Sequence, residues 1–343
     1  MFFVILAGGS GTRFWPISTP ERPKQFINLT GDGSLIRLTV DRIKDLAPAD
    51  HVYVLTGAKY KTQVQTELPE IPESNIILEP VGRNTAPCIA VAAMMLHHVN
   101  PDEIMVVLPA DHMIKDVANF QRNIKEAEAL ARVSKGLITI GIKPTQPETG
   151  FGYIEADLGN PAGRGFSVKA FHEKPDLDRA KRYVSLPTFY WNAGMFIWKI
   201  SSILENLNTH LPELMQTLKP LNNAIGTDDE TKIFNEVFPK TAPISIDYGV
   251  MEKSDVVYVV PSAFDWSDVG SWSALESVHR ADAKRNISQG HTQLVDTTNS
   301  IIINEGGPIV ATIGIKDLIV VSTPNGVLVC HKDQAQDIKK LSA

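Results

Sequence analysis

Six apolar residues, Phe2-Phe3-Val4-Ile5-Leu6-Ala7, run straight into Gly8-Gly9-Ser10-Gly11-Thr12-Arg13-Phe14. Such a break is the pattern of a buried strand that leaves a sheet and turns over a ligand. Glycines let backbone N–H groups approach anionic oxygens, while Arg13 and the later Lys24, within Pro23-Lys24-Gln25-Phe26, add full charges that a neutral loop lacks. Two commoner phosphate loops do not fit. A Walker loop needs Lys and then Ser or Thr after its last glycine, whereas Thr12-Arg13 follows Gly11. The dinucleotide fingerprint needs a third glycine where Phe14 stands and a helix directly after it, which Pro16, Pro20 and Pro23 prevent. A long, proline-stiffened loop with two basic residues points to a multiply charged ligand such as a nucleoside triphosphate. The alternative is a glycine-rich turn with solvent-facing charges.

The rest of the chain gives this loop a setting. Strands are expected at His51–Thr56, Asn75–Leu78 and Ile104–Leu108, with helices from Ser34 to about Leu46, near Ala58–Glu67, and from Asn84-Thr85-Ala86-Pro87 through Leu96. Alternation of this kind predicts an α/β fold, a mainly parallel sheet with helices on both faces, whose ligands sit beyond the carboxyl ends of the strands. Three motifs fall at such ends: the glycine loop, Glu79-Pro80-Val81-Gly82-Arg83-Asn84-Thr85, and Pro109-Ala110-Asp111-His112. Further strands are expected at Thr149–Glu155, Ser167–Phe171, Tyr190–Trp198 and Asp255–Val260, with helices at Asp178–Val184 and between Ser201 and Val237. From about Lys284 short strands recur between turns such as Pro324-Asn325-Gly326, and a surface helix is expected near Asp333–Leu341. The division is therefore a catalytic domain over 1–283 and a small β domain over 284–343, too small to trust as an independent core.

Composition narrows the ligand. A net charge of −6 and a pI near 5.9 argue against a nucleic-acid partner, so an anionic ligand must be met by local charge. No stretch is long and apolar enough for a membrane span, and the Phe2–Ala7 run lacks the basic start and length of a signal peptide. Cys88 and Cys330 have no metal-ligand spacing and are expected as buried apolar residues in a reducing compartment, the cytoplasm. Asp111 and Asp268 are candidate Mg2+ ligands, since that ion is usually held by one or two carboxylates together with phosphates. Equally open from the residues alone is a turn position for Asp111 and a helix cap for Asp268. Glu173-Lys174 pairs an acceptor for sugar hydroxyls with a cation for a sugar phosphate, or is an exposed strand end. Asn192 and Asp247 are polar groups among aromatic and apolar neighbours, as in sugar sites. His112 is read as structural, because imidazole is not a preferred Mg2+ ligand.

The sequence Leu6-Ala7-Gly8-Gly9-Ser10-Gly11-Thr12-Arg13-Phe14-Trp15-Pro16 followed by Pro23-Lys24-Gln25-Phe26 resembles the signature loop of sugar-1-phosphate nucleotidyltransferases. Its Phe-Trp-Pro and Lys-Gln-Phe variants resemble the mannose-1-phosphate guanylyltransferases, or GDP-mannose pyrophosphorylases. The resemblance spans roughly residues 1–280 and, more loosely, the remainder; it implies a Rossmann-like domain and a short C-terminal left-handed β-helix. It implies nucleotide contacts from Leu6, Ala7, Gly8, Gly9, Ser10, Gly11, Thr12, Arg13, Glu79, Gly82, Asn84, Thr85 and Pro109. A sugar-phosphate pocket of Gly152, Glu173, Lys174, Asn192 and Asp247, and Mg2+ on Asp111 and Asp268, follow in the same way. Arg13, Lys24 and Lys174 are implied as the catalytic cations; a homodimer is expected. The implied reaction joins GTP and mannose 1-phosphate to give GDP-mannose and pyrophosphate, with no protein nucleophile. Glu79 suits guanine in particular, whose N1–H and N2–H2 face a pure acceptor; its alternative is a cap for the helix near Thr85.

One departure is Phe151, where the family more often has Tyr. Longer members carry a phosphomannose isomerase domain, and a chain ending at Ala343 is expected to lack that activity. The rival readings are another sugar phosphate such as a heptose or glucose 1-phosphate, a silent regulatory subunit that binds a nucleotide sugar, and a dinucleotide oxidoreductase.

Overall fold

The computed structural model describes residues 1–9 and 11–341. By its internal contacts the chain forms two compact units, each gathered from stretches far apart in sequence. The first comprises Met1–Gly8, Arg42–Pro109 and Lys115–Asp265, the second Gly9–Asp41, Ala110–Ile114 and Trp266–Ala343.

The first unit is built on a sheet of nine strands. In chain order they are β1 (Phe2–Leu6), β2 (Val52–Gly57), β3 (Ile76–Glu79), β4 (Ile104–Pro109), β5 (Leu137–Ile142), β6 (Gly152–Ala162), β7 (Gly165–Glu173), β8 (Phe189–Lys199) and β9 (Val257–Pro261). Their spatial order is β3-β2-β1-β4-β8-β5-β9-β7-β6. β1 pairs in parallel with β2 and β4, and β2 with β3, so Leu6, Glu79 and Pro109 all lie at the carboxyl edge; β8 then runs antiparallel to β4. Phe2 and Val4 join a core with the long helix that follows β3, while Phe3 and Ile5, on the opposite face, are just as buried. Alternating side chains buried on both sides mean that both faces of the sheet are covered. The helix after β3 spans Thr85–Val99; Asn84, at φ 65°, accepts the Thr85 N–H at 2.8 Å, as the cap reading requires. The sequence reading assigns no element to residues 113–148, where the structure has the helix Val117–Ser134 and β5.

The second unit has its own core. Phe14, Ile17, Ile27 and Leu35 from the start of the chain, Met113, and Trp272, Leu275, Ile301, Ile319, Leu328 and Ile338 from its end form one apolar cluster. The late strands are β10 (Ile287–Gln289), β11 (Thr292–Val295), β12 (Ile301–Asn304), β13 (Val310–Ile313), β14 (Leu318–Thr323) and β15 (Gly326–His331). β10, β12 and β14 pair in parallel so that Ile287, Ile301 and Ile319 stack in register, and β11 pairs in parallel with β13. Parallel rungs of this kind form a β-helical stack. β15 closes it in the opposite direction.

Three local expectations are corrected. The helix beginning at Leu35 ends at Asp41, not Leu46; beyond it the chain continues in turns, with Leu46 N–H closing only three residues back on Ile43 at 2.8 Å. The terminal helix, Lys332–Leu341, is a 3-10 helix, and its Ala335 and Ile338 are 3% and 2% exposed, sunk in the core of the unit and not merely surface-bound. Cys330 is only half-buried, because it faces Ile319 across the outermost pair of the stack.

Candidate active site

The second unit holds the charged groups of the signature loop. Gly11 has φ 61°, and a Cβ there would overlap the side chain and backbone of Lys24, so only glycine lets the two segments touch. Thr12–Phe14 makes one 3-10 turn, which Phe14 anchors with its ring 5.1 Å from that of Trp272; the Trp15-Pro16 peptide is cis. Arg13 is exposed, its Nη1 donating to Gln336 Oε1 at 3.2 Å. Gly9 enters the turn, and Ser10 lies outside the described residues.

Lys24 is the opposite case, an ammonium in a residue 8% exposed. Its Nζ donates to Asp111 Oδ2 at 2.8 Å and to the Asp268 carbonyl. Burial pushes the Asp111 carboxyl up, but Lys24 and His112 outweigh it and hold it below the usual carboxylate range. Asp268 goes the other way: burial raises it, Lys24 and Arg13 pull it back, and the charge of Asp111 raises it again. Asp268 lies within reach of the Asp111 charge, so the two carboxylates offer hard oxygen donors near one another. Among the described residues no group of three or more His, Cys, Asp or Glu stands ready to enclose an ion. A pair of carboxylates suits a divalent cation that completes its shell with water and phosphate.

Asp268 is no helix cap. Its Oδ1 accepts the Gly270 N–H at 3.2 Å, and the short helix entering Trp272 begins after Ser271. Between them Val269 sits at φ 44°, a costly backbone for a β-branched residue, and such strain gathers at functional positions. His112 accepts the Trp266 indole N–H at 3.2 Å, in keeping with a structural role.

The first unit carries the remaining candidates. Leu6 ends β1 in register with Pro109 of β4, and the Ala7 N–H donates to the Leu55 carbonyl at 2.8 Å. Gly8 follows, and Gly82 lies in the turn between β3 and the Asn84 cap; at either, a side chain would meet nothing within 4 Å. Glu79, at the end of β3, is 9% exposed and accepts the Cys88 thiol at 3.0 Å; burial lifts its carboxyl and the thiol partly offsets that. Asn84, not Glu79, caps the helix, and Thr85 Oγ1 accepts the Ile246 N–H at 2.9 Å.

On the same sheet Gly152 of β6 pairs with Glu173 of β7, and a Cβ on Gly152 would overlap the Glu173 carboxylate. Lys174, φ 47° and 61% exposed, reaches back to Glu173 at 3.3 Å. Asn192 Nδ2 donates to Asp247 Oδ1 at 2.7 Å, while its Oδ1 accepts Thr139 Oγ1 and the Gly194 N–H, both at 3.1 Å. That fixes which way the amide points. Asp247 opens a π-helical turn, Asp247–Met251, and its carboxyl is raised to about 6 by burial and then by the Glu173 charge, against the Asn192 hydrogen bond. The sequence reading missed Cys88, Thr139 and Gln336, the partners that hold Glu79, Asn192 and Arg13; a thiol, a hydroxyl and an amide in apolar or polar runs carry no pattern of their own.

Comparison with known proteins places the chain among nucleotidyl transferases. Residues 3–285 match the model of the family described as Nucleotidyl transferase, and residues 290–342 match the MannoseP isomerase/GMP-like beta-helix domain. A mannose-1-phosphate guanylyltransferase of Salmonella muenchen is 41% identical over 346 residues, covering 98% of this chain and 72% of that protein. The alginate biosynthesis protein AlgA of Pseudomonas aeruginosa is 39% identical over 342 residues, covering 99% of this chain and 71% of the relative. Among solved structures, a Thermus thermophilus protein described as a mannose-1-phosphate geranyltransferase superposes with a TM-score of 0.90 at 30% identity, covering 99% of this chain and 97% of that one.

Proposed function

We propose, given that the chain belongs to the nucleotidyl transferase family, that it transfers GMP from GTP to α-D-mannose 1-phosphate, forming GDP-mannose and pyrophosphate. The observation that carries the reading is the buried Lys24 ammonium bonded to Asp111 and to the Asp268 carbonyl, with Arg13 close enough to act on Asp268. A sugar phosphate is already ionised at neutral pH. Its oxygen can form a bond to the α-phosphorus while the bond from that phosphorus to the β-phosphate oxygen breaks, and pyrophosphate leaves with the electron pair. No general base is needed, so catalysis reduces to alignment and charge.

The roles then follow from what each group has left to offer. Lys24 has three N–H donors, two of them used by Asp111 and Asp268, and the third is for a phosphate oxygen. Arg13 and the amides of the glycine loop hold the β and γ phosphates. Lys174, exposed and tethered to Glu173, meets the phosphate of the sugar. Glu173, Asn192 and Asp247 take the sugar hydroxyls, and Glu79 takes the two donors of guanine. Asp111 and Asp268 would hold Mg2+, which as a Lewis acid neutralises nucleotide oxygens. Pairing as a homodimer and a cytoplasmic place, the latter in keeping with a GTP substrate, belong to the same proposal. No helix among the described residues is long and apolar enough to cross a membrane.

The test is a pyrophosphate-release assay crossing GTP, ATP, UTP and dTTP with mannose, glucose and heptose 1-phosphates. Release confined to GTP with mannose 1-phosphate is expected. Release with another sugar alone would replace the substrate, and silence in every combination would favour a regulatory subunit.

A further inference from the structure

The signature loop and the last helix of the chain are separated by more than 300 residues in sequence, yet they share a core. Phe14 lies in one apolar cluster with Ala335 and Ile338 of the Lys332–Leu341 helix, and with Trp272. Trp272 in turn donates its indole N–H to the Trp15 carbonyl at 3.2 Å. The helix is anchored at its own start, where Lys332 Nζ donates to Glu276 and Asn299 and the Lys332 carbonyl accepts Ser273 Oγ at 3.4 Å. From this braced helix Gln336 Oε1 accepts Arg13 Nη1 at 3.2 Å.

We infer that Gln336 is a positioning residue for Arg13, and that the terminal helix is thereby a working part of the phosphate site. The inference rests on the reading that Arg13 meets the GTP phosphates. A guanidinium has five N–H donors, so one amide oxygen can fix its orientation and leave the other donors and the whole charge available. An exposed arginine otherwise loses rotamer freedom when phosphate arrives; held beforehand, it loses less, and GTP binds more tightly for it. The amide is the right group for this work. A carboxylate in its place would grip Arg13 harder and cancel the charge that phosphate needs.

The test compares wild type, Gln336→Ala, Gln336→Glu, Arg13→Gln and the Arg13→Gln/Gln336→Glu double variant, reading kcat and KM for each substrate and inhibition by pyrophosphate. Gln336 is exposed, so its variants should melt with the wild type. Gln336→Ala should raise the KM for GTP and the inhibition constant of pyrophosphate about threefold, the worth of one exposed hydrogen bond. Gln336→Glu should raise both about tenfold, and neither should move the KM for mannose 1-phosphate by more than about twofold. On the Arg13→Gln background the Glu substitution should add nothing, because the two residues act as one unit. An unchanged GTP KM in both Gln336 variants, or an effect of Gln336→Glu that persists without Arg13, overturns the positioning role while the phosphate reading stands. Unchanged GTP kinetics in Arg13→Gln would overturn both.

Discussion

The molecule contains two pairs of carboxylates, and their surroundings set them apart. Asp111 and Asp268 share a buried lysine; Lys24 and then His112 hold Asp111 below its usual range, while Asp268 is raised by burial against the pull of Lys24 and Arg13. Among the described residues the cation paired with Glu173 is the exposed Lys174, and Asp247, raised by burial and then by Glu173, lies at about 6. The first pair is supplied with positive charge before any ligand arrives; the second is short of it. A cation and phosphates need carboxylates that stay charged, whereas sugar hydroxyls can be met by an acceptor that titrates near neutrality. On the proposed roles, the same residue type would do two jobs by placement alone.

The contrast can be broken most sharply at the proposed metal pair. Asp111→Asn or Asp268→Asn should each lower kcat by at least about two orders of magnitude, the scale of losing a metal clamp on phosphate. Only Asp111→Asn should also cost stability, about 1–2 kcal/mol, since it alone takes a side-chain partner from Lys24. Near-normal Mg2+-dependent turnover in both would end the assignment. Lys24→Gln should lower kcat by roughly ten- to a hundredfold and shift the KM for GTP much less, because its charge matters most as two phosphates converge. A change confined to the KM for GTP would make Lys24 a ground-state binder.

Smaller effects are expected on the other side. Glu79→Gln should narrow the preference for GTP over UTP and dTTP by about 1–3 kcal/mol, the cost of a mismatched buried group. An unchanged ratio of kcat/KM would hand the base to backbone groups near Gly8 or Gly82. For Asp247 the folded pKa lies above the ordinary value, so the folded protein binds that proton more tightly and stability rises as pH falls from above 6 towards about 4. Asp247→Asn should therefore raise Tm by about 2–4 °C at pH 8, a gain of about 1 kcal/mol, and change it little at pH 4. Its kcat/KM for mannose 1-phosphate should lose the acid limb near pH 6 that the wild type shows. A Tm that fell equally at both pH values would mean that Asp247 is structural.

Local signals carried much of this. The strand that breaks into glycines, the Asn84 cap with Pro87 behind it and the motifs after β1, β3 and β4 are all written in neighbouring residues, and a parallel α/β sheet follows from them. Asp111 and Asp268 could be picked out but not joined, because nothing local says that Lys24, distant in the chain, lies against both. Core membership was harder still. The late strands alternate like any small β domain, and only the structure puts Phe14, Met113 and Ile319 in one cluster. Long-range packing has no period to read.

The reversal of β15 reaches beyond closing a sheet. A stack of parallel strands ends in a row of unmet N–H and C=O groups that invites one more strand, from the same chain or another. By running backwards from the Thr323–Gly326 turn, β15 takes that row from β14 and replaces it with an edge of the wrong direction for a further rung. The tip of this hairpin is also where the stack is measured, since a Cβ on Gly326 would come within 3.2 Å of the Trp15 ring. Adding a rung would carry the tip about 4.8 Å away from that indole. The number of rungs is thereby tied to the glycine-rich signature loop, and a β-helix that could in principle grow is kept to one length.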